Sequence, residues 1–76
     1  MVSRLANFSG EQVINILQKR FGFEKIAQKG SHVKLRKTDG NRTTTTIVPN
    51  HKELAVGTLH NILRQAQIEI NEFLNK

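Results

Sequence analysis

Residues 32–36 alternate polar and apolar side chains with a period of two, which is the pattern of a half-buried β-strand. Val33 and Leu35 then share one face, which can enter a hydrophobic core. The opposite face carries an imidazole and two cations, which belong to His32, Lys34 and Arg36. A fold that contains this strand must therefore cover one side of a sheet and leave the other side to solvent or to a partner.

The residues before this strand predict a helix over about residues 10–21. Ser9 and Gln12 form a Ser-x-x-Gln capping box at its start. Apolar residues recur at helical spacing from Val13 onward, and Gly22 can adopt the left-handed conformation that ends a helix. The helix can therefore present one apolar side to the sheet.

A first strand is predicted from Phe23 to Gln28, followed by a turn at Lys29 and Gly30. Phe23 and Ile26 are its candidate core residues. Because their spacing does not match a period of two, we expect a bulge in this strand.

The strand from His32 to Lys37 is predicted to pair with a third strand from Thr43 to Val48. Asp39 and Gly40, which lie between the two strands, are typical of a hairpin turn. The four consecutive threonines of the third strand have a high strand propensity. Pairing of these two strands brings the end of the third strand back to the start of the second.

Two helices are predicted after the third strand. The first begins at Gly57 or Thr58 and buries four residues at helical spacing, which are Leu59, Ile62, Leu63 and Ala66. A short further helix is indicated by Ile70, Phe73 and Leu74. The order α-β-β-β-α predicts an α+β fold, in which a three-stranded antiparallel sheet has helices packed on one face and a short extra helix at the C-terminus.

Length, charge and composition narrow the classes of function. We expect the 76 residues to form a single domain, residues 1–76, that is too small to enclose a deep substrate cavity. The net charge of +6 favours a nucleic acid, an anionic membrane or an acidic protein as partner. The absence of cysteine excludes a disulfide scaffold and a thiolate metal site. With no apolar run near the ~20 residues of a membrane span and no secretory signal, we expect a cytoplasmic protein that binds no membrane.

His32, Lys34 and Arg36 together fit the cleavage of RNA without a metal ion. Imidazole can take the proton of the attacking 2′-hydroxyl or protonate the leaving 5′-oxygen, and the two cations can stabilise the charge on the phosphate. Gly30 allows close backbone approach. The further candidates for RNA binding are Lys29, Ser31 and Lys37. A strand histidine among cations is more often an ordinary surface residue, so the residues alone leave both interpretations open.

Two other histidines are weaker candidates for a chemical role. Hairpin pairing is expected to bring His51 within reach of His32 as an auxiliary proton-transfer group, although a loop histidine without a chemical role fits as well. His60 is predicted to be exposed on the second helix. The three histidines lack the spacing of metal ligands, so neither a metal site nor a cofactor is expected. The four phenylalanines lie at predicted core positions, which makes an aromatic platform for base stacking unexpected.

Several segments, in order along the chain, resemble the HicA family of bacterial and archaeal toxins. They are Gly30-Ser31-His32, the segment from Val48 to Leu54, Gly57-Thr58-Leu59, and the segment from Ile62 to Ala66. The likeness extends from Ser9 to Leu74. Gln67 departs from the family, which often has glycine there, and Glu69 stands where serine or aspartate commonly caps the last helix.

The resemblance implies a double-stranded-RNA-binding-like fold and a ribosome-independent mRNA endonuclease. It also implies that His32 corresponds to the catalytic histidine of the family, and that a HicB-type antitoxin covers the surface around it. Two alternatives remain open, which are a non-catalytic RNA-binding module of the same fold and an adaptor whose basic face binds an acidic protein.

Overall fold

A computed structural model describes residues 3–75 of the chain. Its elements are α1 (Gly10–Phe21), β1 (Glu24–Lys29), β2 (His32–Asp39), β3 (Arg42–Pro49), α2 (Val56–Ala66) and α3 (Ile70–Leu74). The three strands form one antiparallel sheet in the order β1-β2-β3. The predicted α+β order, with its short C-terminal helix, is confirmed. The predicted single domain also includes residues 1, 2 and 76, which lie outside the described residues.

The hydrophobic core lies on one side of the sheet, between β2, β3 and the helices. Val33 and Leu35 are 2% and 0% exposed, so their predicted place in the core is confirmed. The helices contribute buried side chains from their apolar sides, which include Val13, Leu17, Leu59, Ile62 and Leu63. Because side chains alternate along β2, the burial of Val33 and Leu35 places their neighbours on the uncovered side of the sheet.

Strand β1 is the least covered part of the sheet, because all six of its residues are exposed. The prediction that Ile26 enters the core was wrong, since its side chain is 41% exposed. The pairing with β2 shifts register between Lys25 and Ala27, so the expected bulge is present and Ile26 has no partner on β2. Phe23, which precedes the strand, is buried as predicted.

The ends of α1 follow the predicted capping pattern. The Ser9 hydroxyl accepts the Gln12 N–H at 3.0 Å, and the Gln12 side chain accepts the Ser9 N–H at 2.9 Å. Gly22 follows the helix in the left-handed conformation, with φ of 76°. Both ends of α1 are therefore fixed by the local signals that the sequence contains.

Helix α2 begins at Val56, one residue before the earlier of the two predicted starts. Its N-cap is Ala55, whose side chain has no hydrogen-bonding group, so the sequence contains no capping signal at this position. The helix ends at Ala66, and its C-cap Gln67 adopts the left-handed conformation with φ of 59°. No helix in residues 3–75 is long and apolar enough to cross a membrane.

Candidate functional site

His32 begins β2 on the uncovered side of the sheet and is exposed to solvent. It pairs with Lys29 on β1 and with Pro49 on β3. Because residues paired across antiparallel strands share a face, the imidazole and the Lys29 side chain project on the same side of the sheet. We call each set of residues paired across the three strands a rung. The first rung of this surface therefore places a proton-transfer group beside a cation.

Two further rungs extend this surface along β2. They are Ala27–Lys34–Ile47 and Glu24–Arg36–Thr45. Successive residues on one face of a strand are about 6.6 Å apart, so Arg36 lies about 13 Å along the strand from His32. We call this side of the sheet the open face, defined by Lys29, His32, Lys34 and Arg36. The structure brings these four predicted residues together on it.

Lys37 does not belong to the open face. It pairs with Thr44 and continues the alternation of Val33 and Leu35, so its side chain projects toward the helix side of the sheet. The structure thus separates Lys37 from the predicted group around His32. The sequence could have predicted this separation. Lys37 is five residues from His32, and residues an odd number of positions apart on a strand point to opposite faces.

Ser31 lies in the turn before β2, and its contact is with His51. The His51 Nε2 atom is 3.2 Å from the Ser31 hydroxyl oxygen, and the Asn50 N–H donates to the Ser31 carbonyl at 2.7 Å. His51 therefore contacts the residue that directly precedes His32. Sequence reasoning placed His51 near this end of the hairpin but missed the Ser31–His51 pair, which forms only because the chain after β3 folds back.

Gly10 holds that returning segment close to α1. It is buried, and its N–H donates to the His51 carbonyl at 2.8 Å. A Cβ atom at Gly10 would overlap the Pro49 carbonyl oxygen and lie 2.6 Å from the Asn50 Cα atom. The first turn of α1 thus serves as the base on which the His51 loop rests, a role that sequence reasoning missed because glycine at a helix start is unremarkable.

His60 is exposed on α2, as predicted. In residues 3–75 no three histidine, aspartate or glutamate side chains converge as a set of metal ligands would.

A family model described as the HicA toxin of bacterial toxin–antitoxin systems matches residues 10–68. The match spans α1, the whole sheet and α2, which is most of the chain. The chain belongs to the HicA toxin family. Its role is thus that of a toxin, and an antitoxin is the kind of partner that the HicA family implies. Searches of curated proteins and of solved structures find no match.

The HicA match includes every element that builds the open face. It contains the Gly30-Ser31-His32 segment, the three strands, and the loop that carries His51. The resemblance drawn from the sequence is therefore confirmed at the level of the HicA family and its toxin role.

Proposed function

We propose that this HicA-family toxin is an endoribonuclease that cleaves mRNA in the cytoplasm without a metal ion, with His32 as general acid or base. The observation that carries the proposal is the place of His32, exposed on β2 and flanked by lysines on the open face. An open sheet face suits a long polymer substrate, because no cavity has to admit it.

The chemistry needs two proton transfers and one source of positive charge. A base removes the proton of a ribose 2′-hydroxyl, whose oxygen attacks the adjacent phosphorus and displaces the 5′-oxygen of the next nucleotide. An acid protonates that leaving oxygen, so the products carry a 2′,3′-cyclic phosphate and a 5′-hydroxyl. His32 supplies proton transfer, since imidazole exchanges protons near neutral pH.

The cations of the open face supply the positive charge that the reaction needs. Lys29 and Lys34 lie on the rungs nearest His32, where their charge stabilises the negative charge that builds on the phosphate. Arg36 lies two rungs from His32 and binds a neighbouring phosphate of the same strand. Because Lys37 projects to the other side of the sheet, we expect it to contribute to RNA affinity only through its long-range charge.

A HicB-type antitoxin is the proposed inhibitor. The cations and His32 share one exposed face, so a protein that covers this face with acidic groups blocks substrate binding and proton transfer together. We propose that residues 1–76 act as one domain in both the free and the inhibited state.

The proposal is tested by incubating the purified protein with mRNA in a buffer that contains a metal chelator. We expect cleavage into defined fragments. Binding of RNA without cleavage would instead support a non-catalytic module, and failure to bind RNA at low salt, where phosphate contacts are strongest, would support an adaptor for an acidic protein. Either outcome contradicts the endonuclease proposal.

The Ser31–His51 pair leads to a separate prediction. We expect His51→Ala to lower kcat on an oligoribonucleotide about tenfold, because loss of the contact with Ser31 loosens the residue next to His32 and small misplacements of catalytic groups are costly. His51→Gln should recover most of kcat, since its amide can still reach the Ser31 hydroxyl. KM should change little in either variant.

His60→Ala is the matched control for this pair, because His60 is also exposed and lies on α2. Its kcat should equal that of the wild-type protein. A glutamine variant as impaired as the alanine variant would contradict the positioning role of His51, and so would an alanine variant with unchanged kcat.

A further inference from the structure

A shallow depression lies on the open face directly beside His32. Its volume is about 230 Å³, and its lining is almost entirely apolar. The lining residues are Ala27, Gln28, Lys29, His32, Lys34 and Ile47. The depression therefore covers the first two rungs of the open face, between β1 and β3.

Ile47 gives this depression its apolar wall. It is 46% exposed and lies near the end of β3, an edge strand of the sheet, so its aliphatic surface is open to a ligand. On the same face of β3 the earlier positions are Thr43 and Thr45. The open face thus changes from hydroxyl-bearing to aliphatic as β3 approaches His32.

Charge surrounds the apolar surface. The Lys29 and Lys34 side chains belong to the same lining, and Lys34 lies between Ala27 and Ile47 on one rung. A nucleotide has the matching chemistry, because the face of its base is apolar and its phosphate is anionic. A purely apolar ligand would gain nothing from the lysines.

We propose that this depression is a nucleobase subsite, in which one unstacked base of single-stranded RNA packs against Ile47 and Ala27 while Lys29 and Lys34 hold the flanking phosphates. The inference rests on the proposed function, since His32 lines the same depression. When His32 reaches the ribose and phosphate of the scissile nucleotide, a base of that nucleotide or its neighbour lies within reach of Ile47.

The subsite has a consequence for substrate choice. A base inside a duplex is stacked on both faces and cannot lie against Ile47, whereas a base in a single strand can turn out of the stack. The chain therefore selects unpaired segments of mRNA. It does so with aliphatic side chains, because its phenylalanines pack in or against the core.

The test measures equilibrium binding of the wild-type protein, Ile47→Thr and Ile26→Thr to two oligonucleotides. Both are 2′-deoxy chains, which lack the nucleophile and stay intact, and one of them has no bases. Threonine suits position 47 because β3 already contains four threonines, and a thermal melt checks that each variant is folded. Ile26, which is 41% exposed and lies at the bulge of β1, is the matched control.

We expect the wild-type protein to prefer the base-bearing oligonucleotide by about tenfold, the effect of removing roughly 55 Å² of apolar surface from water when one base packs against Ile47 and Ala27. Ile47→Thr should lose this preference by binding the base-bearing chain more weakly and the baseless chain as before. Ile26→Thr should behave as the wild-type protein does.

Equal affinity of the wild-type protein for both oligonucleotides would overturn the subsite, as would a preference that survives in Ile47→Thr. Because binding is read without cleavage, a protein that prefers bases but never cuts RNA would contradict the endonuclease proposal and support the subsite.

Discussion

His32→Ala is expected to lower kcat for RNA cleavage by about 10²- to 10⁴-fold, the usual contribution of a positioned acid or base. RNA affinity should remain close to that of the wild-type protein, because Lys29, Lys34 and Arg36 still form the cationic surface. The measurement is single-turnover cleavage of a labelled oligoribonucleotide, with its dissociation constant determined separately.

Arg36→Ala provides the contrasting variant. Arg36 lies on the open face two rungs from His32, so its removal should weaken RNA binding while the chemical step remains nearly unchanged. If His32→Ala and Arg36→Ala reduced affinity alike and left the cleavage step intact, His32 would be a contact residue without a catalytic role.

Gly10→Ala is expected to lower the free energy of unfolding by about 2 kcal/mol, as for an overpacked core position. The added methyl group overlaps the Pro49 carbonyl oxygen and the Asn50 backbone, so the loop after β3 has to move away from α1. Because the Gly10 N–H donates to His51, the same displacement should loosen the Ser31–His51 contact and reduce kcat.

Gly57→Ala is the matched control, since Gly57 lies in the first turn of α2 and a Cβ atom there meets nothing within 4 Å. Replacement of such a glycine usually stabilises a protein by about 0.4–1 kcal/mol. Urea denaturation of both variants measures the difference. Similar stabilities for the two variants would contradict the close packing of α1 against the His51 loop.

Most of the fold could be predicted because local signals agree with the tertiary arrangement. The capping box at Ser9, the alternation from His32 to Arg36 and the threonine strand each specify an element that the structure contains. Ile26 shows where local reasoning fails. The bulge leaves it without a partner on β2, so its apolar character did not decide its burial.

The candidate site could be predicted in part. Alternation alone indicated that His32, Lys34 and Arg36 share a face, and pairing with β1 then adds Lys29. The Ser31–His51 contact depends on how the chain continues after Pro49, which no local pattern specifies. The aliphatic wall at Ile47 depends on which face of β3 the helices leave open, and the threonine run gave no indication of it.

The role of His32 as general acid or base in cleavage by a ribose 2′-hydroxyl is tested most directly by the ends of the RNA fragments. The wild-type protein would be incubated with an oligoribonucleotide in the presence of a chelator, alongside a copy with a 2′-deoxy residue at the cleavage position. We expect 2′,3′-cyclic phosphate and 5′-hydroxyl ends from the first substrate, no cleavage of the second, and formation of both products by His32→Ala at least about 10²-fold more slowly. Cleavage of the 2′-deoxy substrate, or full cleavage by His32→Ala, would contradict this role.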